Sequence, residues 1–249
     1  MQWVGSLLFT TYLFVSTLLY AVFVLAVSWL PEDRLYRVAQ FWARNQLWVL
    51  RKLCGLTYTV EGRENIPAGN HISMWKHSSA WETIAQMVVF PPQSWVLKRE
   101  LMWIPVVGWA MRSMRPIAID RKAGGSAVNQ IVAQGKLRLA EGRWILIFPE
   151  GTRMAPGETR RYGVSGALLG ARTGRLVVPV AHNAGYFWQR RGLLKRAGVI
   201  RVVIGPPIAT EGRDPRSIND EAQAWIEATV ARLKPEYGRA AVPSRGIAS

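Results

Sequence analysis

Residues 143–153 of the chain read RWILIFPEGTR. The run from 144 to 148 is almost continuously apolar, which is typical of a central strand with both faces covered in a parallel sheet. The residues that follow the strand and its proline are Glu150, Gly151, Thr152 and Arg153. Because open α/β sheets bind ligands beyond the carboxyl ends of their strands, this stretch predicts a site for an anionic group. An ordinary turn with solvated charges is the alternative.

Strand-like and helix-like runs alternate along most of the chain. Further β-rich runs lie at 56–62, 94–99, 115–120, 176–181 and 199–205. Helical patterns lie at 126–141 and 163–172, and an amphipathic helix at 216–234 closes the series. This alternation predicts βαβ units, and therefore an α/β domain at 56–234 with a mostly parallel sheet flanked by helices.

The N-terminal segment predicts a membrane anchor at 1–31. Residues 3–30 contain no charged residue. As a helix they would measure about 42 Å, more than the roughly 30 Å hydrocarbon core of a bilayer. A cleaved signal peptide is disfavoured because no Lys or Arg precedes the segment and no A-x-A site follows it. The anchor is expected to be one helix or a helical hairpin that enters one leaflet near Ser16-Thr17.

Two further segments flank the anchor and the α/β domain. Apolar residues recur at helical spacing within 32–55, which predicts an amphipathic connecting helix that lies on the bilayer or docks on the next domain. The basic residues that follow the anchor are Arg34, Arg37, Arg44, Arg51 and Lys52. The positive-inside rule places them, and the rest of the chain, on the cytoplasmic side. Residues 235–249 are polar with Pro and Gly, which predicts a loosely ordered tail.

The charge balance points to an anionic partner. The 249-residue chain has 32 Lys and Arg against 16 Asp and Glu, a formal net charge of +16. Nucleic acid, an anionic membrane surface and a phosphorylated substrate all fit such a surplus. The anchor disfavours nucleic acid, and basic and aromatic residues within 151–200 favour anionic membrane lipids. One cysteine and three histidines disfavour a disulfide framework and a structural zinc site.

Residues 74–85, MWKHSSAWETIA, place His77 close to Glu82. The two side chains have the composition of a general base and its orienting carboxylate. The structural alternative is a capping box, in which Ser79 and Glu82 satisfy backbone N–H groups at the start of a helix. The pattern alone leaves both interpretations open.

Two cationic residues occupy the ends of other predicted strands. Lys98 lies at the end of the run 94–99, and Arg121 follows the run 115–120. Both positions could converge on the edge of the sheet that carries the loop after residue 148. The apolar segment between them predicts either core packing or the wall of an apolar channel.

Taken in order, these motifs resemble those of the glycerolipid acyltransferase family. The motifs are His77-x4-Glu82, then Lys98, Leu101, Gly108 and Arg121 at matching spacing, then Phe148-Pro149-Glu150-Gly151-Thr152-Arg153, then an apolar strand around Pro179. The resemblance covers residues 56 to 210. One feature departs from the family, because Glu82 stands where the usual acid is aspartate.

The resemblance implies an enzyme that moves a fatty acyl group from acyl-ACP or acyl-CoA to the sn-2 hydroxyl of lysophosphatidic acid. His77 would be the general base and Glu82 its orienting acid, with no covalent intermediate and no metal or redox cofactor. The phosphate would be held by Lys98, Arg121 and Arg153, and the glycerol by Glu150 and Thr152 in the loop that contains Gly151. The implied location is the cytoplasmic face of a bacterial inner membrane.

Two alternatives stay open at this stage. The Glu82 variant also occurs in relatives that act on other acceptors, so another lysolipid, such as lyso-ornithine lipid, is a second candidate acceptor. Lipid A acyltransferases share His-x4-Glu but do not normally carry Phe-Pro-Glu-Gly-Thr-Arg, which favours a glycerophosphate acceptor. A non-catalytic membrane protein that binds lipid is the third hypothesis.

Overall fold

The computed structural model describes residues 1–120, 123–233 and 235. Seven strands within these ranges form one sheet. The strands are β1 Leu56–Glu61, β2 Ile72–Trp75, β3 Gln93–Lys98, β4 Ile117–Ile119, β5 Trp144–Ile147, β6 Val177–His182 and β7 Gly198–Ile204. Their order is β1-β7-β6-β2-β5-β3-β4, and only the β6–β7 pair among them is antiparallel. The predicted α/β class with a mostly parallel sheet is confirmed.

Helices cover both faces of this sheet. Within the described ranges they are α1 Gln2–Ala26, α2 Glu32–Cys54, α3 Trp81–Val89, α4 Val107–Arg112, α5 Gly125–Ala140, α6 Ser165–Thr173, α7 Ala184–Phe187 and α8 Pro215–Arg232. Ile145 and Ile147 of β5 share a core with α5, α6 and α8, whereas Trp144 and Leu146 share the opposite core with α2 and α3. The continuous apolar run of β5 therefore reflects burial on both faces.

The central strand β2 was not predicted from the sequence. It has four residues, all buried, and it pairs in parallel with β5 on one side and β6 on the other. So short a run next to Lys76 and His77 gives little strand signal. Its position matters because the carboxyl ends of β2, β5 and β3 are consecutive at one edge of the sheet, where their loops meet.

The N-terminal helix α1 is unbroken from Gln2 to Ala26, and by length and composition it could cross a membrane. The hairpin alternative near Ser16-Thr17 is wrong. Both hydroxyls donate hydrogen bonds to the carbonyl of Leu13 within the helix, at 3.3 Å and 2.6 Å, so they do not interrupt it. Phe9 is fully buried and packs edge-to-face on Trp188, so the first half of α1 is docked on the α/β domain.

Helix α2 occupies the range predicted for the connecting helix and ends at Gly55, whose φ of 65° forms a left-handed cap. Its buried side packs on α1, α3 and β1, while Phe41 and Trp48 are exposed. The helix therefore docks on the domain and also presents apolar side chains outward. The division into anchor, connecting helix and α/β domain stays a prediction, and the predicted tail, apart from residue 235, lies outside the described residues.

Candidate active site

His77 lies two residues beyond β2, at the edge where the loops converge. Its Nδ1 is 2.9 Å from Oε1 of Glu82, and its ring stacks on Phe148 with the centroids 4.1 Å apart. Its backbone N–H donates a 2.7 Å hydrogen bond to Oε2 of Glu150. Since Nδ1 faces a carboxylate, Nε2 is the ring nitrogen left for chemistry on the cavity that His77 lines.

Glu82 is fully buried in the first turn of α3. Its Oε1 also accepts hydrogen bonds from the backbone N–H groups of Ser78 at 2.9 Å and Ser79 at 2.8 Å. The Oγ of Ser79 accepts from the N–H of Trp81 at 3.1 Å. One carboxylate therefore accepts backbone N–H groups just before α3 and also contacts the His77 ring, and the role of the pair as base and orienting acid stays a prediction.

The environment keeps Glu82 ionised. Burial by itself raises the pKa of this carboxyl, but the hydrogen bond to His77, the nearby His182 and His77 rings and the Ser79 N–H together bring its pKa below the ordinary value. An ionised carboxylate can both orient an imidazole and stabilise an imidazolium. The pair thus has the electrostatics that a general base requires.

Glu150 lies against the backbone of His77. Its side chain is fully buried, with Oε1 2.7 Å from Nζ of Lys76 and Oε2 bonded to the His77 N–H. Burial raises the pKa of Glu150 and the contact with Lys76 opposes that rise. Both oxygens are therefore engaged inside the protein, and the predicted glycerol contact of Glu150 stays a prediction. Gly151, with φ of 67°, makes the turn beyond it.

Arg153 and Lys98 line the same cavity as His77. The Nε of Arg153 is buried and has no hydrogen-bond partner among the described residues. Nζ of Lys98 is 3.0 Å from Oε1 of Glu100, in a pair that is partly exposed. Thr152 is partly exposed in the same loop and is not among the cavity-lining side chains identified in the described chain. Arg121 lies outside the described residues.

The cavity itself has a volume of about 370 Å³ and is lined mainly by apolar side chains. They come from helices α1 to α4 and from strand β3, and include Val24, Trp42, Met87 and Ala110. His77, Lys98 and Arg153 supply its polar side. The site is therefore amphiphilic, with an imidazole and two cations beside a space suited to hydrocarbon.

Sequence reasoning missed two buried residues beside His77 and Glu82, which are Lys76 and His182. Nε2 of His182 donates a 2.9 Å hydrogen bond to the carbonyl of Lys76 and lies 3.9 Å from Oε2 of Glu82. Burial lowers the pKa of His182, against the opposing charge of Glu82. His182 is the last residue of β6, so the strand-end argument used for the loop after β5 could have found it. Lys76 had no such signal, because β2 was not recognised.

Comparison with known proteins places this chain in a family. Residues 57–183 match the family model described as Acyltransferase. The 1-acyl-sn-glycerol-3-phosphate acyltransferase of Pseudomonas aeruginosa is 42% identical over 224 residues, which cover 88% of this chain and 87% of that protein. The human 1-acyl-sn-glycerol-3-phosphate acyltransferase alpha is 26% identical over 178 residues, which cover 70% of this chain and 63% of the human protein.

A solved structure supports the fold over nearly the whole length. The crystal structure of the 1-acyl-sn-glycerophosphate (LPA) acyltransferase, PlsC, from Thermotoga maritima has a TM-score of 0.78 and 23% identity, and it covers 96% of this chain and 100% of that one. At this identity the likeness speaks for the fold. The family model and the relative at 42% identity show that the chain belongs to the acyltransferase family.

Proposed function

We propose that the protein is a 1-acyl-sn-glycerol-3-phosphate acyltransferase. It moves an acyl group from acyl-ACP or acyl-CoA to the sn-2 hydroxyl of lysophosphatidic acid and releases phosphatidic acid. The observation that carries this proposal is the contact between His77 and Glu82 at the polar side of an apolar cavity. The name of the relative at 42% identity supports the choice of acceptor.

The mechanism we infer uses His77 twice. Its Nε2 removes the proton of the acceptor hydroxyl as that oxygen attacks the thioester carbonyl, and Glu82 stabilises the imidazolium that forms. The tetrahedral intermediate then collapses, the carbon–sulfur bond breaks and the thiolate takes the proton from His77. The new ester and the free thiol account for every atom, and His77 returns to its starting state.

We assign the acceptor phosphate to the cationic side chains at the polar side of the cavity. Arg153 carries the strongest support, because its buried Nε has no partner within the described chain and a guanidinium can bind a phosphate with two parallel hydrogen bonds. Lys98 can leave Glu100 at little cost, since a partly exposed ion pair contributes about 0–1 kcal/mol. Arg121 is retained in this role from the sequence motif alone.

The apolar part of the cavity would receive an acyl chain. Helix α1 supplies part of its wall, so the membrane-facing helix and the site share one surface. Trp3 and Phe14 on α1, and Trp29 just after it, are exposed apolar side chains. We therefore place the protein on a membrane, with the site reached from the lipid. The cytoplasmic face of a bacterial inner membrane and contact with anionic lipids are proposed from the charge pattern.

The decisive experiment is an acceptor and donor panel on one detergent-purified preparation. Lysophosphatidic acid, other lysophospholipids and lyso-ornithine lipid are each paired with acyl-ACP and acyl-CoA. The proposal expects the highest kcat/KM with lysophosphatidic acid, and loss of transfer in His77→Ala with the thermal transition retained. A clear preference for lyso-ornithine lipid would move the assignment to the alternative acceptor. Full activity in His77→Ala would refute the mechanism.

A further inference from the structure

Directly behind His77 lies an ionic cluster built around the buried side chains of Lys76 and Glu150. Nζ of Lys76 is 2.7 Å from Oε1 of Glu150, 2.9 Å and 3.1 Å from the two carboxylate oxygens of Glu227, and 3.0 Å from the carbonyl of Glu158. Lys76 is 2% exposed. Its ammonium has three N–H donors and reaches three acceptor groups, so it is fully satisfied without water.

Glu227 brings the C-terminal helix α8 into this cluster. It lies 44 residues beyond the end of the segment matched by the family model, which stops at residue 183. Its Oε1 also accepts a 2.6 Å hydrogen bond from the hydroxyl of buried Tyr162. Burial, followed by the hydrogen bond to Glu227, raises the pKa of Tyr162. The phenol thus stays protonated and donates, which fixes the direction of the Glu227 carboxylate.

The cluster gives Glu150 one orientation. With Oε1 held by Lys76, Oε2 is directed at the His77 N–H at 2.7 Å. Without the ammonium, nothing would offset the repulsion between the carboxylates of buried Glu150 and partly exposed Glu227. The Glu150 side chain would then be free to turn away from the orientation that Lys76 gives it. The backbone of His77 would then lose a fixed acceptor.

We propose that Lys76 and Glu227 are positioning residues that hold His77 in its catalytic place through Glu150. The proposal rests on the proposed function for its kinetic readout. A buried ion cluster adds little stability compared with apolar residues of the same volume, so its location directly behind the base needs another explanation. Orientation of the base supplies it, because a shift of about 1 Å at a reacting group can lower a rate about 10²-fold.

The kinetic test uses Glu227→Gln and Lys76→Met in the full-length protein. Glu227→Gln keeps the shape and an acceptor for Tyr162 but removes the charge, and its partly exposed position makes it the milder change. We expect each variant to lower kcat by about 10- to 100-fold and to leave the KM for lysophosphatidic acid unchanged within about twofold. Because both residues act through one contact, the double variant should be no worse than Lys76→Met alone.

A matched control separates positioning from general destabilisation. Glu32→Gln breaks the 2.7 Å contact between Glu32 and the buried guanidinium of Arg143, in an ion pair outside the site. It should lower Tm without changing kcat. A wild-type kcat in both cluster variants would overturn the proposal. The proposal would also be overturned if Glu32→Gln, at the same loss of Tm, lowered kcat as much as the cluster variants do.

A second readout needs no substrate, so it does not depend on the proposed function. The chain has three histidines, and ¹⁵N labelling of histidine with assignment by His77→Gln isolates the His77 ring. Wild type should show one neutral tautomer with the proton on Nδ1, facing Glu82, and Lys76→Met a mixture of tautomers. A single unchanged tautomer in Lys76→Met overturns the proposal. If the wild type acylates no lysolipid, the proposed function fails while this spectrum still decides the positioning role.

Discussion

The Oε1 atom of Glu82 lies 2.9 Å from Nδ1 of His77 while also accepting two backbone N–H groups. The extra methylene of glutamate, relative to aspartate, lets a carboxylate rooted in α3 reach all three donors. The length of the Glu82 side chain therefore suits these three contacts. These contacts also make the pair sensitive to side-chain length.

Glu82→Asp should lower kcat by about 10- to 100-fold, because the shorter side chain withdraws from His77 when it keeps its bonds to the backbone. Glu82→Gln should lower kcat further, by up to about 10⁴-fold, because an amide can hold the wrong imidazole tautomer. Steady-state kinetics at saturating lysophosphatidic acid measure both. Glu61→Gln, at an exposed pair with Arg201, is the matched control and should retain wild-type kcat. Equal activity of the aspartate and glutamate forms would contradict this prediction.

The low pKa of Glu82 predicts a pH-dependent stability. Its folded pKa is below the ordinary value of 4.5, so its ionised form stabilises the folded state above about pH 4.5, and that contribution is lost as the pH falls through the folded pKa. The Tm difference between wild type and Glu82→Gln should therefore be largest near neutral pH and narrow below pH 4.5. Thermal melts followed by circular dichroism test this. A difference that widens towards low pH would be inconsistent with an ionised Glu82.

His182 should destabilise the folded protein in mildly acidic solution. Because its folded pKa is below the ordinary value of 6.5, the unfolded chain takes up the proton first as the pH falls, and stability is lost below about pH 6.5. His182→Gln keeps a donor for the Lys76 carbonyl but does not titrate. The variant should lose less Tm between pH 7 and pH 5 than the wild type. Parallel Tm profiles for the two proteins would rule out this contribution.

Arg153→Ala should raise KM for lysophosphatidic acid by about 10- to 100-fold, since a charge-assisted contact to phosphate is lost. Arg153→Lys should recover only part of the affinity, because an ammonium lacks the planar fork of a guanidinium. The control is Arg172→Ala on α6, where the side chain is exposed. If Arg153→Ala leaves KM unchanged with a phosphorylated acceptor, the phosphate lies elsewhere.

Ala110→Phe should shift the protein towards shorter acyl chains. Ala110 is buried on α4 and lines the apolar part of the cavity, so a ring at this position occupies space that hydrocarbon would fill. Each methylene that is no longer buried costs about 0.8 kcal/mol of binding, or roughly fourfold in kcat/KM. A donor series of increasing chain length measures the shift. Trp109→Phe, at the exposed neighbouring position, should leave the chain-length profile unchanged.

Much of the fold could be predicted because its signals are local. The predicted bounds lie near the observed ones for seven elements, namely the apolar strands β3, β5, β6 and β7 and the periodic helices α2, α5 and α8. Strand β2 could not be predicted, since four residues in a fully buried position carry neither alternation nor length. The hairpin hypothesis for α1 was wrong because hydroxyl groups are satisfied within a helix as readily as in a turn.

The candidate site divides in the same way. His77, Glu82 and the loop after β5 were identified by residue type and spacing, and the structure places His77 and Glu82 in contact. The place of Glu150 behind the His77 backbone, and the participation of Lys76 and Glu227, were not foreseen. Lys76 precedes Glu150 by 74 residues and Glu227 follows Glu150 by 77 residues, so no local pattern links these side chains.

The sequence by itself therefore determined the α/β class, the apolar N-terminal helix and the residue types of a base and its carboxylate. Those features depend on the periodicity and chemistry of neighbouring residues, which the chain carries whatever its final shape. Only the tertiary structure decided that Glu150 contacts the backbone N–H of His77 and that Lys76 contacts Glu150. The reason is physical: the partners of a buried charge are chosen by desolvation and distance, and both exist only once the strands have paired and α8 has packed on the sheet.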